Sequence, residues 1–165
     1  MSIDANLFKL TLRRWVSGVT VVTASDGIKR AGVTASSFTS VSAEPPLVLI
    51  SLQNHISTLK LIEQTKTFAI SILSQHQTHL SIQFAGFAEL PEGADRFYEV
   101  PIKTAVTGAP IIEDSSAWLD CRLFSIHEAG SSKIVIGEVK AASWRDDVLP
   151  LAYHNRNYYD LIAPD

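Results

Sequence analysis

Hydrophobic and polar positions change their period several times along this chain. Phe8, Leu12, Trp15 and Val16 fall at i, i+4, i+7 and i+8, which predicts a first helix stopped near Gly18. Val19 to Ala24 is short and β-branched and reads as a strand. Asp26-Gly27 marks a turn, and Arg30 to Phe38 reads as the returning strand. Leu47 to Leu52 is a strongly apolar strand after Pro45-Pro46. Ser57 to Gln64 reads as a short helix with Ser57 as its candidate N-cap. Thr67 to Leu73 is a further strand. Ser74 and Gln77 have the spacing of a capping box, which predicts a helix to about Phe84. Phe87 to Pro110 reads as mostly loop. Trp118 to Ile126 and Ile134 to Trp144 form a long hairpin joined around Gly130-Ser131-Ser132, and an aromatic cluster closes the tail from Pro150 to Leu161. Short strands separated by turns predict a mainly β fold, an antiparallel barrel with peripheral helices.

Composition narrows this picture. The 165 residues are 46% apolar and 19% charged, enough for one domain with a sizeable core. Lys plus Arg total 14 against 17 Asp plus Glu, with no basic run, so neither nucleic acid nor an acidic membrane is an expected partner. No apolar stretch approaches a membrane span, and Met1 to Asn6 lacks the pattern of a secretory signal. A single domain over 1–165, in the cytoplasm, is the expectation. The single cysteine, Cys121, alternates with Leu119 and Leu123 and reads as a small core residue. His76 and His79 sit three apart on a helix with no carboxylate beside them, so no metal is expected there. P-loop, Rossmann and nucleophile-elbow signatures are absent.

The informative segment is Thr34 to Ser42, where nine positions carry six hydroxyls and no charge. It reads either as a Ser/Thr-rich edge strand or as a surface for a polar, uncharged ligand. A second segment, Ser51 to Thr58, runs from a strand end into a helix start. Free helix-start amides with Ser57 and Thr58 hydroxyls suit a phosphate, unless Ser57 only caps its helix.

Together, G-V-T-A-S-S-F-T-S-V-S-x-x-P-P-L-V from Gly32, S-L-x-x-x-x-S-T-L from Ser51 and F-A-G at Phe84 resemble the flavin reductase-like family, the FMN-binding split barrels. More narrowly they resemble the short-chain reductase component of two-component flavin monooxygenases. The likeness spans about residues 8–161. It implies a six-stranded antiparallel split β-barrel of Greek-key type, a homodimer, and FMN or FAD near the subunit interface. It implies that Thr34, Ala35, Ser36 and Ser37 contact the ring edge and ribityl chain. Ser51, Leu52 and Asn54 line the next strand end, and Ser57 and Thr58 meet the phosphate. Phe84, Ala85 and Gly86 close over the cofactor, and Arg156 and Tyr158 approach it from the tail. NADH or NADPH would donate a hydride to the flavin, and a partner oxygenase would take the reduced flavin.

Two departures from the family pattern stand out. Where relatives carry Gly-Asp-His at the last hairpin, beside the nicotinamide, this chain has Gly130-Ser131-Ser132-Lys133. Ser132 and the upstream His127 are the nicotinamide-site candidates. Lys29, Arg30 and Lys133 are the cations available for an anionic group on the donor. Arg156-Asn157-Tyr158 replaces Arg-Gly-Tyr, with Asn157 expected to tolerate a positive φ. The alternative functions are a flavin carrier without nicotinamide turnover, and a barrel for pyridoxal phosphate or for haem on His127 or His154.

Overall fold

The computed structural model describes residues 3–163; Met1 and Ser2, part of the stretch read for a leader, lie outside them. In chain order the elements are α1 (Ala5–Leu12), β1 (Ser17–Gly18), β2 (Thr20–Ser25), β3 (Arg30–Ala35), β4 (Thr39–Ala43), β5 (Pro46–Gln53), α2 (Ser57–Thr65), β6 (Thr67–Ile72), α3 (Thr78–Ala85), β7 (Ile102–Lys103), β8 (Ile111–Ile112), β9 (Ala117–Ala129), β10 (Ser132–Trp144), β11 (Ala152–His154) and β12 (Asn157–Tyr159). The Ser74–Gln77 capping box forms, with the Ser74 N–H donating to Gln77 Oε1 at 3.1 Å, and a 3-10 turn carries the chain into α3.

Seven strands, not six, build the main sheet, in the order β3-β2-β6-β9-β10-β5-β4, with every neighbouring pair antiparallel. The strand missed in the sequence is β4. Its residues are exposed or half-buried, so it carries no apolar alternation, and backbone pairing to β5 alone defines it. The returning strand accordingly ends at Ala35 rather than Phe38. Among the described residues β3 and β4 do not pair with each other, so the hydrogen-bonded ladder is not a closed barrel. The two edges are nonetheless joined by Ser36, Ser37 and Phe38 alone, and Ala35 and Thr39 stand at most about 14 Å apart on that tether. A flat seven-stranded sheet cannot satisfy that, so the sheet curls until its margins approach.

The core fills the concave side. Ile50, Phe68, Ile70 and Val22 pack with Leu59 and Ile62 of α2. Gly137, at a register shift in the β9–β10 hairpin, admits Phe68, because a Cβ there would lie 2.3 Å from its ring. A second cluster lies under α3, where Phe84 meets Phe97 edge to face at 4.9 Å. Gly32 of β3 makes this docking possible, since a Cβ there would fall 2.5 Å from Phe84 Cε1.

Two expectations fail at the termini. The helix α1 stops at Leu12, ahead of Trp15 and Val16, and none of its residues is buried, so its apolar stripe does not face this chain's core. Gly18 is a strand residue rather than a helix stop. At the other end Asn157 lies in β12, and the positive φ values belong to Asn155 (49°) and Arg156 (66°). A two-residue hairpin of this hand requires both of its central residues in that region.

Candidate functional site

Among the described residues β3 is an edge strand that pairs only with β2, which leaves its outer side outside the sheet ladder. Both α2 and α3 pack against it. At its C-terminal end the Thr34 hydroxyl donates to Ser81 O of α3 at 2.6 Å, and Ser81 Oγ stands 2.8 Å from Tyr158 Oη. Thr34, Ser36, Ala85 and Tyr158 thereby converge on one cavity of about 200 Å³, which Tyr153 also lines. Sequence reasoning missed Ser81 and Tyr153. A buried hydroxyl on an amphipathic helix was the one available signal for Ser81.

Not every candidate reaches this cavity with its side chain. Phe84 is fully buried against Phe97 and cannot close over a ligand; its bulk serves the core. Gly86 ends α3 in the left-handed region (φ 84°), and Arg96 lies behind it, donating to Phe84 O at 2.7 Å. Ala35 is buried, and its carbonyl accepts the Thr20 hydroxyl at 2.7 Å.

The neighbouring serines Ser36 and Ser37 divide their roles. Ser37 Oγ accepts from Ser51 N–H at 3.0 Å and donates to Ser51 O at 2.9 Å. Thr39 pairs with Leu49, so Ser37 stands where the β4–β5 ladder would continue, and its side chain makes the bonds that backbone would have made. This ties the β3–β4 tether to Ser51. Leu52, the next residue, points into the core and is 3% exposed.

The far end of β5 meets the β9–β10 hairpin. Asn54 N–H donates to Ser131 O at 3.1 Å and Asn54 Nδ2 to Gly130 O at 3.4 Å, so the Asn54 amide is spent on the hairpin tip. Ser132 pairs with Gln53 on one side and Ala129 on the other. His127 is exposed, with Nε2 3.0 Å from Ser125 Oγ. Lys133 bonds Glu63 at 2.8 Å and Glu128 at 3.1 Å, and these carboxylates, Glu63 first, raise its pKa. It is therefore not a free cation for a donor phosphate.

Ser57 is the first residue of α2, not its cap. The cap position is Ile56, which has no side-chain acceptor. The first-turn amides of α2 are left without a side-chain cap, whereas Asp4 accepts from two amides at the start of α1. Thr58 is buried, and exposed Ser57 lines a separate open cavity of about 870 Å³ with Lys29, Arg30, Ala31 and Lys60. There Arg30 is held by Asp95 at 2.8 Å, which keeps the Asp95 carboxyl below its usual range. Ala31 of β3 and Ser36 just past its end thus reach two cavities about 16 Å apart along the extended chain.

The remaining reactive candidates lie apart. Cys121 is buried, and burial, reinforced by the charge of Asp120, pushes its thiol up to about 12, which leaves it inert at neutral pH. His76 and His79 are exposed, and among the described residues no three of His, Cys, Asp or Glu converge to hold a metal.

Residues 12–161 match the family described as flavin reductase-like domain. The chain is 33% identical over 162 residues to an NADH:FMN oxidoreductase of Rhodococcus qingshengii, covering 95% of this chain and 82% of that protein. It is 34% identical over 157 residues to the reductase component of 4-hydroxyphenylacetate 3-monooxygenase of Thermus thermophilus, covering 95% and 97%. The solved NADH:FAD oxidoreductase SgcE6 of Streptomyces globisporus superposes with a TM-score of 0.88 at 30% identity, covering 99% of this chain and 98% of that one.

Proposed function

This chain belongs to the flavin reductase-like family, and from that membership we propose that it is an NAD(P)H-dependent flavin oxidoreductase that supplies reduced FMN or FAD to a partner oxygenase. One observation carries the reading: Thr34, Ser36, Ala85 and Tyr158, far apart in sequence, line a single cavity at the open edge of β3. The donor set fits a flavin. The cavity offers hydroxyls and unpaired edge backbone, without a charged side chain, to an uncharged ring. The uncapped start of α2, with Ser57, offers N–H and O–H donors to a phosphate. At about 200 Å³ the cavity encloses only part of such a ligand.

When bound, a flavin supplies the acceptor for a nicotinamide's hydride, so the protein needs no nucleophile of its own. The chain's residues orient and enclose. Thr34 and Tyr158 are fixed through Ser81, which holds the cavity wall rigid. Ser37 locks the tether that presents Ser36. Asn54 holds the hairpin tip bearing Ser132 against the end of β5.

In this reading the curled sheet of one flavin reductase-like domain, with its core at about 8–161, is a split barrel. A homodimer covers α1, whose Leu7, Phe8 and Leu10 are 54%, 50% and 45% exposed. The protein works in the cytoplasm; no helix among the described residues is long and apolar enough to cross a membrane. The testing experiment titrates FMN and FAD by fluorescence and follows NADH and NADPH oxidation with each flavin. Saturable flavin binding with flavin-dependent oxidation of at least one donor is expected. Flavin binding without consumption of either donor would instead favour the carrier reading, which the bare serines at the hairpin tip support. Failure to bind any flavin would overturn both.

A further inference from the structure

A second cavity adjoins the one just assigned, and its chemistry is different. It measures about 360 Å³ and shares Ser36 and Tyr153 with the first. Three cations line it: Lys9 of α1, Arg13 at the C-cap of α1, and Arg156 at the β11–β12 turn. No carboxylate lines it, and among the described residues none of the three forms an ion pair. The indole of Trp15, 74% exposed, stands at its wall.

Its placement is built by local structure. Lys9 and Arg13 are four apart, so they share one face of the helix. The chain then turns tightly, with Trp15 N–H donating to Leu12 O at 3.1 Å. Ser17 pairs with Tyr153, which ties the end of α1 to the wall of the first cavity. Leu7, part of the surface offered to a second copy, lies about 160° around the helix from Lys9, whereas Leu10 stands three residues before Arg13, so the two surfaces adjoin along α1.

Three unpaired cations around a concave site repel one another, and an anion of multiple charge relieves that repulsion. A flat aromatic wall beside them suits a base or a nicotinamide ring. The candidate cation of the hairpin, Lys133, is occupied by Glu63 and Glu128. Resting on the flavin reductase reading, we infer that this cavity grips the diphosphate of the dinucleotide hydride donor through Lys9, Arg13 and Arg156, with Trp15 against one of its rings. The donor then enters from the α1 side, and its nicotinamide reaches the flavin across Ser36 and Tyr153. Lys9, Arg13 and Trp15 are binding residues for the donor rather than for the flavin.

The test compares wild type with the Lys9→Ala/Arg13→Ala double variant. No side chain of α1 is buried and Arg13 at its C-cap is only half-buried, so the variant keeps its fold, which a thermal melt checks. Steady-state kinetics at saturating flavin should show the donor KM raised about tenfold or more with kcat within about twofold. The flavin dissociation constant should stay within about twofold of wild type. Lys9→Arg/Arg13→Lys should restore the donor KM. Independently of turnover, ADP should quench the emission of the wild type saturably, and Trp15→Phe should abolish that quench. An unchanged donor KM, a flavin constant that weakens in step with it, or no ADP binding by the wild type overturns the inference. A wild type that binds flavin and ADP but oxidises neither donor sinks the reductase reading and leaves the anion site standing.

Discussion

The hydroxyl-rich segment divides into two halves of nearly the same composition and unlike fates. In Thr34–Ser37 each polar side chain has a task. Thr34 holds α3, Ser37 substitutes for backbone opposite Ser51, and Ser36 faces two cavities. In Thr39–Ser42 the same residue types form an outer strand whose bonds to β5 are made by backbone, with Thr39 and Ser40 exposed. The edge-strand reading describes the second half; the ligand-surface reading, as proposed above, belongs to the first. What separates them is the neighbourhood: helices cover β3, and nothing among the described residues covers the outer side of β4. Composition marks a segment as unfit for a two-sided core. Only tertiary contacts decide which part is used.

Four substitutions sharpen that contrast. Gly32→Val has the largest effect, because it drives a side chain into Phe84 and lifts α3 from the first half. A loss of about 2–3 kcal/mol, read by chemical denaturation, and loss of flavin binding are expected. Ser37→Ala removes both bonds to Ser51 and should lower stability by about 1–2 kcal/mol, with flavin affinity weakened as the tether loosens. Ser36→Ala should reverse the pattern. Its stability changes by less than about 0.5 kcal/mol, while the flavin dissociation constant rises about fivefold. Ser40→Val in the second half is the smallest, within about 0.5 kcal/mol and without effect on flavin titration. A Ser40 variant that weakens flavin as much as Ser36→Ala would dissolve the distinction.

Much of the fold was legible because its elements are periodic. The helices α2 and α3, the strand β6 and the long hairpin all appear close to where the pattern predicts them. The errors have physical causes. The strand β4 exists through backbone pairing, which leaves no mark in side-chain alternation. The apolar stripe of α1 predicts a helix, and nothing in a stripe says whose core it joins. For the candidate site, the resemblance brought together Thr34, Ser36, Ala85 and Tyr158, which share a wall. It could not tell a residue that lines a cavity from one that supports it. Leu52 and Phe84 are buried, and Ser37 and Asn54 spend their polar atoms on Ser51 and the hairpin tip. Lys9 and Arg13 carried no signal at all, because a basic residue on an exposed helix is ordinary until a facing Arg156 is found 143 positions beyond Arg13.

The three-residue tether between β3 and β4 has a mechanical consequence. It makes the two margins of the sheet one lever: a displacement of β3 by an occupant at its rim draws on Ser37, then on Ser51, and so on the strand that braces the hairpin tip through Asn54. From the β3 rim to the tip of the β9–β10 hairpin there thus runs an unbroken path of covalent chain and four hydrogen bonds.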